Sequence, residues 1–163
     1  MLCTIPGIGE RTAQNVIAEI GLDMSVFPSA QHLASWAGQC PGNDQSAGKR
    51  RSGKTRKGSK WLNIALKEAA MAATSTTDSY LQTLYRRKKA QGGHNKAIGA
   101  VKHSIICAIW HMLTTGEIYR DLGPDHFTAR NPERQTRRLV DQLQRLGHTV
   151  TLQTTSTAGL VAA

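Results

Sequence analysis

One segment of the chain, residues 46–60, is too strongly charged to enter an apolar core. It reads SAGKRRSGKTRKGSK, with seven basic residues, three glycines, three serines and no acidic residue. Burial of unpaired charges is strongly unfavourable, so the segment must lie at the surface. Its composition predicts a mobile loop in which cations and hydroxyl groups meet phosphates.

Basic residues are concentrated in the middle third of the chain. Residues 1–45 contain one basic and four acidic residues, residues 46–102 contain fourteen and two, and residues 103–163 contain six and five. Such asymmetry indicates a nucleic acid or an anionic membrane as partner, and a pI near 10.0 favours nucleic acid. The alternative is a merely solvated surface, although surfaces normally mix both signs of charge.

Length and cysteine content narrow the class of protein. A chain of 163 residues is about one domain. No signal peptide is evident, and no apolar run approaches the roughly 20 residues of a membrane span, so we expect a cytoplasmic protein without a membrane partner. Cys3, Cys40 and Cys107 form no CxxC pair or zinc pattern, which predicts reduced, buried thiols and no metal site in this chain.

The N-terminal region predicts a helix entered through a glycine turn. Apolar residues recur at helical spacing over residues 10–20, after the turn Pro6-Gly7-Ile8-Gly9. This is typical of the second half of a helix-hairpin-helix motif, in which Gly7, Gly9 and Arg11 would face a DNA phosphate. The first helix would need about ten more residues, so we expect a truncated motif; the alternative is an ordinary turn between core helices.

The remaining periodicity predicts an all-α fold, in which a helix-hairpin-helix-like element at 1–21 and a basic serine loop at 38–60 precede a small helical bundle. Trp36 is expected to point inward, and Gly92-Gly93 to separate two helices. We expect a main domain over 1–120, a helical extension over 121–152 with one possible strand at 148–152, and a disordered tail over 153–163. The predicted helices beyond residue 21 cover 29–37, 59–75, 78–90, 95–115 and 131–146.

The order of these motifs resembles the C-terminal, serine-containing domain of DEDD-type insertion-sequence transposases, the IS-one-ten family. The resemblance covers roughly residues 2–120. It rests on Ile5-Pro6-Gly7-Ile8-Gly9, Thr12-Ala13, Glu19-Ile20-Gly21, Phe27-Pro28-Ser29-Ala30, Leu33, Gly38, Pro41, Ser46, Gly48-Lys49-Arg50-Arg51, Lys57-Gly58, Leu62, Leu66, Ala69-Ala70, Tyr85, Lys96-Ala97, Ala100-Val101-Lys102, Ile109-Trp110 and Tyr119.

The resemblance implies a DNA recombinase that moves a mobile element and is guided by an RNA. An N-terminal RuvC-like domain, absent from this sequence, would hold magnesium on four acidic residues, and the complete protein would form homo-oligomers in the bacterial nucleoid. The C-terminal domain would supply a serine nucleophile, which falls on Ser46. Two positions depart from the family pattern, because Ala47 stands where glycine usually follows the serine and Asn63 stands where a basic residue is common.

Cations after Ser46 could hold a scissile phosphate and stabilise its charge during attack. Ser52 and Ser59 are rival nucleophiles, although Ser59 fits better as a helix cap, and Trp61 could stack on a base. This fragment alone is expected to be inactive. A non-catalytic DNA- or RNA-binding module and a ribosome-associated basic protein remain alternatives. The predicted nucleic-acid contacts are Gly7, Gly9, Arg11, Lys49, Arg50, Arg51, Lys54, Arg56, Lys57, Lys60, Lys96 and Lys102.

Overall fold

A computed structural model describes residues 1–42, 44–52 and 55–153, of which 44–46 and 50–52 are described as backbone only. The predicted helical bundle is confirmed, with one two-stranded hairpin inside the segment predicted as loop. The chain divides into two compact units, Met1–Pro124 and a second that begins at Asp125. The elements are α1 (Glu10–Ile20), α2 (Ala30–Trp36), β1 (Asp44–Ser46), β2 (Lys49–Ser52), α3 (Lys60–Ser75), α4 (Tyr80–Thr115), α5 (His126–Ala129) and α6 (Pro132–Arg145), with 3-10 turns at Leu2–Thr4 and Met24–Val26.

Helix α3 is the centre of the first unit, because it packs against both α1 and α4. Its buried face carries small residues, which let neighbouring helices approach closely. Larger side chains at Leu62 and Leu66 fill the remaining space and are fully buried. The small buried residues of α3 are Ala65, Ala69, Ala70 and Ala73.

Helix α4 covers both helices predicted at 78–90 and 95–115, and it is kinked at Gly93, in the glycine pair that was expected to separate them. Gly93 has φ +79° and ψ 177°, a backbone conformation that lies outside the helical region and that glycine adopts without a steric penalty. Among the described residues α4 alone is long and apolar enough to cross a membrane, contrary to the expectation from the sequence. Its apolar residues Val101, Ile105 and Ile109 are nevertheless fully buried, as in a central core helix.

Three further expectations from the sequence are wrong. The side chain of Trp36 was expected in the core but is 48% exposed, although its ring lies 5.5 Å from that of Phe27. Residues 148–152 form no strand. Cys3 is exposed, whereas Cys40 and Cys107 are half-buried, so the three thiols are free but not all buried. Residues 154–163 of the expected disordered tail lie outside the described part of the chain.

The second unit contains α5 and the amphipathic helix α6. Asn131 caps α6 by accepting a hydrogen bond from the Arg134 amide at 3.1 Å, and Pro132 opens the helix, as predicted. Leu139, Leu143 and Leu146 share one face of the helix and remain exposed. Among the described residues, no side chain of α6 is buried.

Two glycines, Gly38 and Gly58, bring together the ends of the basic serine loop, residues 38–60. A Cβ atom added to Gly58 would lie 2.4 Å from the carbonyl carbon and oxygen of Ala37. A Cβ added to Gly38, which has φ +67°, would lie 2.6 Å from the Arg56 oxygen and the Gly58 nitrogen. The two backbones are therefore in direct contact, and no side chain fits between them. We call this contact the Gly38–Gly58 clasp.

The clasp predicts that Gly58→Ala destabilises the first unit. The added methyl group would force the backbone strands apart, and we expect a loss of about 1–3 kcal/mol in the free energy of unfolding, as for an overpacked site. Chemical denaturation measures this change. Gly99→Ala is the matched control, because nothing lies within 4 Å of its added Cβ. Inside α4 the control should raise stability by about 0.5–1 kcal/mol. Unchanged stability of Gly58→Ala would contradict the clasp.

Candidate nucleic-acid interface

The basic segment folds back on itself as an antiparallel hairpin. Its strands pair Ser46 with Lys49 and Gln45 with Arg50, with an irregularity between Asp44 and Gln45. The two connecting residues, Ala47 and Gly48, both have positive φ, at +49° and +75°. Positive φ at both positions is what a type I′ turn requires, and its twist matches that of paired strands. The loop predicted here is therefore ordered by a tight turn directly after Ser46.

This register places Ser46 and Lys49 opposite each other at the tip of the hairpin. Arg50 and Arg51 follow on the second strand, so cations directly follow the predicted nucleophile along the chain. The side chains of Ser46, Arg50, Arg51 and Ser52 lie outside the described part of the structure, as does Lys54. The described cations Lys49, Arg56, Lys57 and Lys60 are all exposed.

A polar network joins the base of the hairpin to two helices. Gln39 is 5% exposed and donates from Nε2 to the Ala37 carbonyl at 2.9 Å and to Asn63 Oδ1 at 3.5 Å. Lys102 Nζ donates to the same oxygen at 2.8 Å. Because a buried amide must be satisfied, these bonds fix the chain just after Gly38. Asn63 thus holds a cation of α4, Lys102, beside the N-terminal part of α3.

The surroundings of Lys102 disfavour its charged form. Burial, and after it the positive charge of Lys67, lower the pKa of the half-buried Lys102 ammonium. An anion bound there would offset both effects. Lys67, which the sequence reading did not select, lies one helical turn after Asn63 on the exposed surface of α3. The described contacts do not bring Lys96 into this network; its side chain is exposed and approaches Gly92 near the bend of α4.

The two glycines of the N-terminal turn have different environments. A Cβ on Gly7, at φ +87°, would lie 2.3 Å from the Ala69 oxygen, so this turn packs directly on the backbone of α3. Gly9 is open to solvent and caps α1. Glu10 in the first turn already places a negative charge at the helix N-terminus, which opposes phosphate binding there. Phosphate contacts at Gly7, Gly9 and the exposed Arg11 stay predictions.

Ser59 is engaged in structural hydrogen bonds. Its Oγ accepts from the Leu62 amide at 3.3 Å, which caps α3 as the sequence predicted. The same hydroxyl donates to Glu19 Oε2 on α1 at 2.6 Å. The hydroxyl therefore links two helices and already has both a donor and an acceptor as partners.

The cysteine and histidine side chains of α4 do not form a reactive site. Cys107 Sγ lies 3.8 Å from His103 Nδ1, one turn away in the opposite direction from His111. Burial, and next Cys40, raise the pKa of the Cys107 thiol, and burial lowers the pKa of His103. The shift at Cys107 favours the neutral thiol, which is a poor nucleophile, and the shift at His103 favours a neutral imidazole that cannot stabilise a thiolate by its charge. Within the described residues, no group of three His, Cys, Asp or Glu side chains could hold a metal ion.

The fold and these contacts define a small, basic helical domain. Its basic hairpin lies within a loop whose two ends meet at the Gly38–Gly58 clasp. The model of the transposase IS116/IS110/IS902 family matches residues 1–86. The chain belongs to this family of transposases, as its motifs indicated.

Comparison with curated proteins agrees with the family. The chain is 33% identical over 127 residues to an uncharacterized 43.6 kDa protein of insertion element IS110 from Streptomyces coelicolor, covering 76% of this chain and 31% of that protein. It is 35% identical over 117 residues to the pilin gene-inverting protein of Moraxella bovis, covering 71% and 34%. An uncharacterized 42 kDa protein of insertion element IS900 from Mycobacterium paratuberculosis is 29% identical over 122 residues, covering 73% and 30%. The chain thus spans about a third of the length of these relatives.

The turn predicts that Ala47→Gly stabilises the hairpin. An alanine at φ +49° is sterically disfavoured by about 1–2 kcal/mol, whereas glycine adopts this conformation freely. We expect hydrogen exchange at the Lys49 amide to slow by about fivefold or more, since 1.4 kcal/mol corresponds to tenfold. Ala47→Val should speed the same exchange. Faster exchange in Ala47→Gly would show that the turn is not of this type.

Proposed function

We propose that this chain is the DNA-contacting, serine-bearing part of a transposase, and that Ser46 is its nucleophile. The observation that carries the proposal is the hairpin register, which sets Ser46 opposite Lys49 and next to a turn that is free of bulky side chains. Membership of a transposase family supports DNA transposition and recombination as the process. The name of the Moraxella relative, a pilin gene-inverting protein, supports DNA rearrangement as well.

In the proposed reaction the Ser46 Oγ attacks a phosphorus atom of one DNA strand. A bond from serine oxygen to phosphorus forms, the bond from phosphorus to the leaving deoxyribose oxygen breaks, and that oxygen takes up a proton while the serine loses its own. The product is a phosphodiester between serine and DNA, which conserves the energy of the broken bond for rejoining. Lys49, Arg50 and Arg51 would stabilise the extra negative charge on the phosphate in the transition state.

The clasp and the polar network contribute by positioning. A nucleophile must approach its phosphorus opposite the leaving oxygen, so the hairpin that carries it needs a fixed base. The Gly38–Gly58 clasp holds that base, and Gln39 and Asn63 add a second anchor. Lys102 would contact a neighbouring phosphate, together with the exposed Arg56, Lys57 and Lys60.

The family resemblance adds further proposals about the complete protein. A RuvC-like domain would hold magnesium, which would lower the cost of ionising the serine and neutralise phosphate charge. A guide RNA would select the DNA target, and the complete protein would act as a homo-oligomer on the bacterial nucleoid. A non-catalytic nucleic-acid-binding module is the second candidate, because the exposed cations Arg56, Lys57 and Lys60 lie outside the hairpin and need no chemistry to bind phosphates.

Binding of DNA duplexes should be tolerant of sequence and steeply dependent on salt. Each phosphate contact contributes a slope of about −0.9 in a plot of log affinity against log salt concentration. Replacing Arg50 and Arg51 together by Ala should weaken binding and reduce the slope by about 1.8, without lowering the melting temperature. Fluorescence anisotropy and thermal denaturation measure these quantities. An affinity that is flat between low and physiological salt would contradict DNA binding.

A covalent adduct at Ser46 tests the chemical part of the proposal. With an upstream acidic domain from a family member, magnesium, guide RNA and target, we expect a protein–DNA adduct that mass spectrometry maps to Ser46. Ser46→Ala should abolish the adduct and leave affinity within a few fold, since one hydroxyl contributes about 1 kcal/mol. Ser52→Ala and Ser59→Ala should still form it. An adduct that survives Ser46→Ala would refute the assignment, and absence of any adduct would favour the binding module.

A further inference from the structure

We infer that the groove between α1 and α3 binds an unpaired nucleobase of the DNA strand held by the basic hairpin, with Trp61 as the stacking surface. This inference rests on the proposed DNA binding and adds a site for a different chemical group. The groove has a volume of about 550 Å³, within the range of small-molecule sites. Its lining includes Arg11, Asn15, Glu19, Trp61, Ile64 and Glu68.

The exposure of the Trp61 indole is the first reason to expect that the groove binds a base. Its side chain is 68% exposed, and the neighbouring Ile64 is 40% exposed, although α1 and α3 bury Val16, Ile20 and Leu62 between them. The helices therefore have a complete core without the indole. An exposed indole beside a cationic segment is typical of surfaces on which nucleobases stack. Lys60 Nζ lies 5.6 Å from the ring centroid, so a cation accompanies the aromatic surface.

The charges of the groove are the second reason to expect a base, because acidic residues outnumber basic ones in its lining. Glu19 and Glu68 contribute two negative charges against the single positive charge of Arg11. The two carboxylates disfavour a phosphate beside them, whereas the amino groups of a base can donate to them. A strand would thus keep its phosphates on the cations of 49–60 and turn one base toward α1.

The side chain of Glu19 is held in place by a hydrogen bond and can accept another from the amino group of a base. Its Oε2 accepts from Ser59 at 2.6 Å, which is the one hydrogen bond of its side chain among the described residues. The other oxygen is then available for an amino group, and Asn15 lies one turn earlier on the same helix. Carboxylates accept from the cytosine amino group, and side-chain amides pair with adenine. Cytosine and adenine should therefore bind better than thymine.

Position along the chain links the groove to the hairpin. Trp61 directly follows Lys60, the last cation of the basic segment, and Ser59 at the start of α3 touches Glu19 inside the groove wall. A strand that leaves the hairpin along Arg56, Lys57 and Lys60 reaches the groove next. Because Ser46 is proposed to act on DNA, we assign the base to the DNA strand.

The test compares a DNA duplex with one bulged cytosine and the same duplex fully paired. Their phosphate contacts are nearly equal, so the difference in affinity isolates the unpaired base. The chain should bind the bulged duplex more tightly, and Trp61→Ala should lose about 5- to 150-fold on the bulged duplex alone, the usual effect of removing one stacking partner. Trp61→Phe should retain most of the preference, and a bulged thymine should bind less well than cytosine.

Trp36→Ala is the matched control, since Trp36 is also exposed but lies on α2, away from the groove lining. It should leave the preference for the bulge unchanged. An equal loss on both duplexes in Trp61→Ala, or no preference in the unmodified chain, would overturn the inference while salt-dependent duplex binding still supported the proposed function. If the chain does not bind DNA duplexes at all, both the inference and the proposed function are wrong. A Trp61-dependent preference seen only with a bulged RNA duplex would overturn the assignment to DNA.

Discussion

The direct contact between the backbones of Gly38 and Gly58 is the constraint on which the functional part of the structure depends. It closes the segment between α2 and α3 at a point where the backbones at Gly38 and Gly58 are too close for either residue to carry a side chain. Like charges within the segment repel each other, so the cations alone would spread it through solvent. The clasp and the neighbouring Gln39–Asn63–Lys102 network limit that freedom at the base and leave the tip at Ala47-Gly48 exposed.

Helix α3 carries both glycine motifs of the first unit. The Gly38–Gly58 clasp lies just before its N-terminus, and the Gly7 turn packs on Ala69 and Ala73 near its other end. Small residues on the buried face of α3 make the approach of the Gly7 turn possible, since a larger side chain at Ala69 or Ala73 would separate the turn from the helix. The helix is thus a rigid support whose ends fix the N-terminal turn on one side and the hairpin on the other.

Most helices of the fold were predictable because capping residues and apolar spacing agree. The first helix has its predicted bounds between Gly9 and Gly21, and the third begins after its predicted cap at Ser59. The hairpin was missed because its strands carry charged and polar residues instead of alternating apolar ones, and its turn is Ala-Gly rather than Asn-Gly.

The candidate site was predictable in composition but not in arrangement. The basic residues could be selected from charge alone, because no folded core accommodates them. The clasp, the meeting of Gln39 with Asn63 and Lys102, and the groove beside Trp61 join residues that are distant in sequence. No local pattern encodes such contacts. The burial of Trp36 was predicted wrongly, because helical spacing identifies an apolar face without showing whether the rest of the chain covers that face.

The bend of α4 has a mechanical consequence. The two torsion angles of Gly93 set the angle between the two arms of the helix, and the N-terminal arm carries the four exposed cations of residues 86–89. These residues lie about 6–10 Å from the bend along the helix axis, so a rotation of about 10° at Gly93 would swing their charges by about 1–2 Å. The torsion angles of this single glycine therefore determine where the positive charge of residues 86–89 lies relative to the C-terminal arm of the helix.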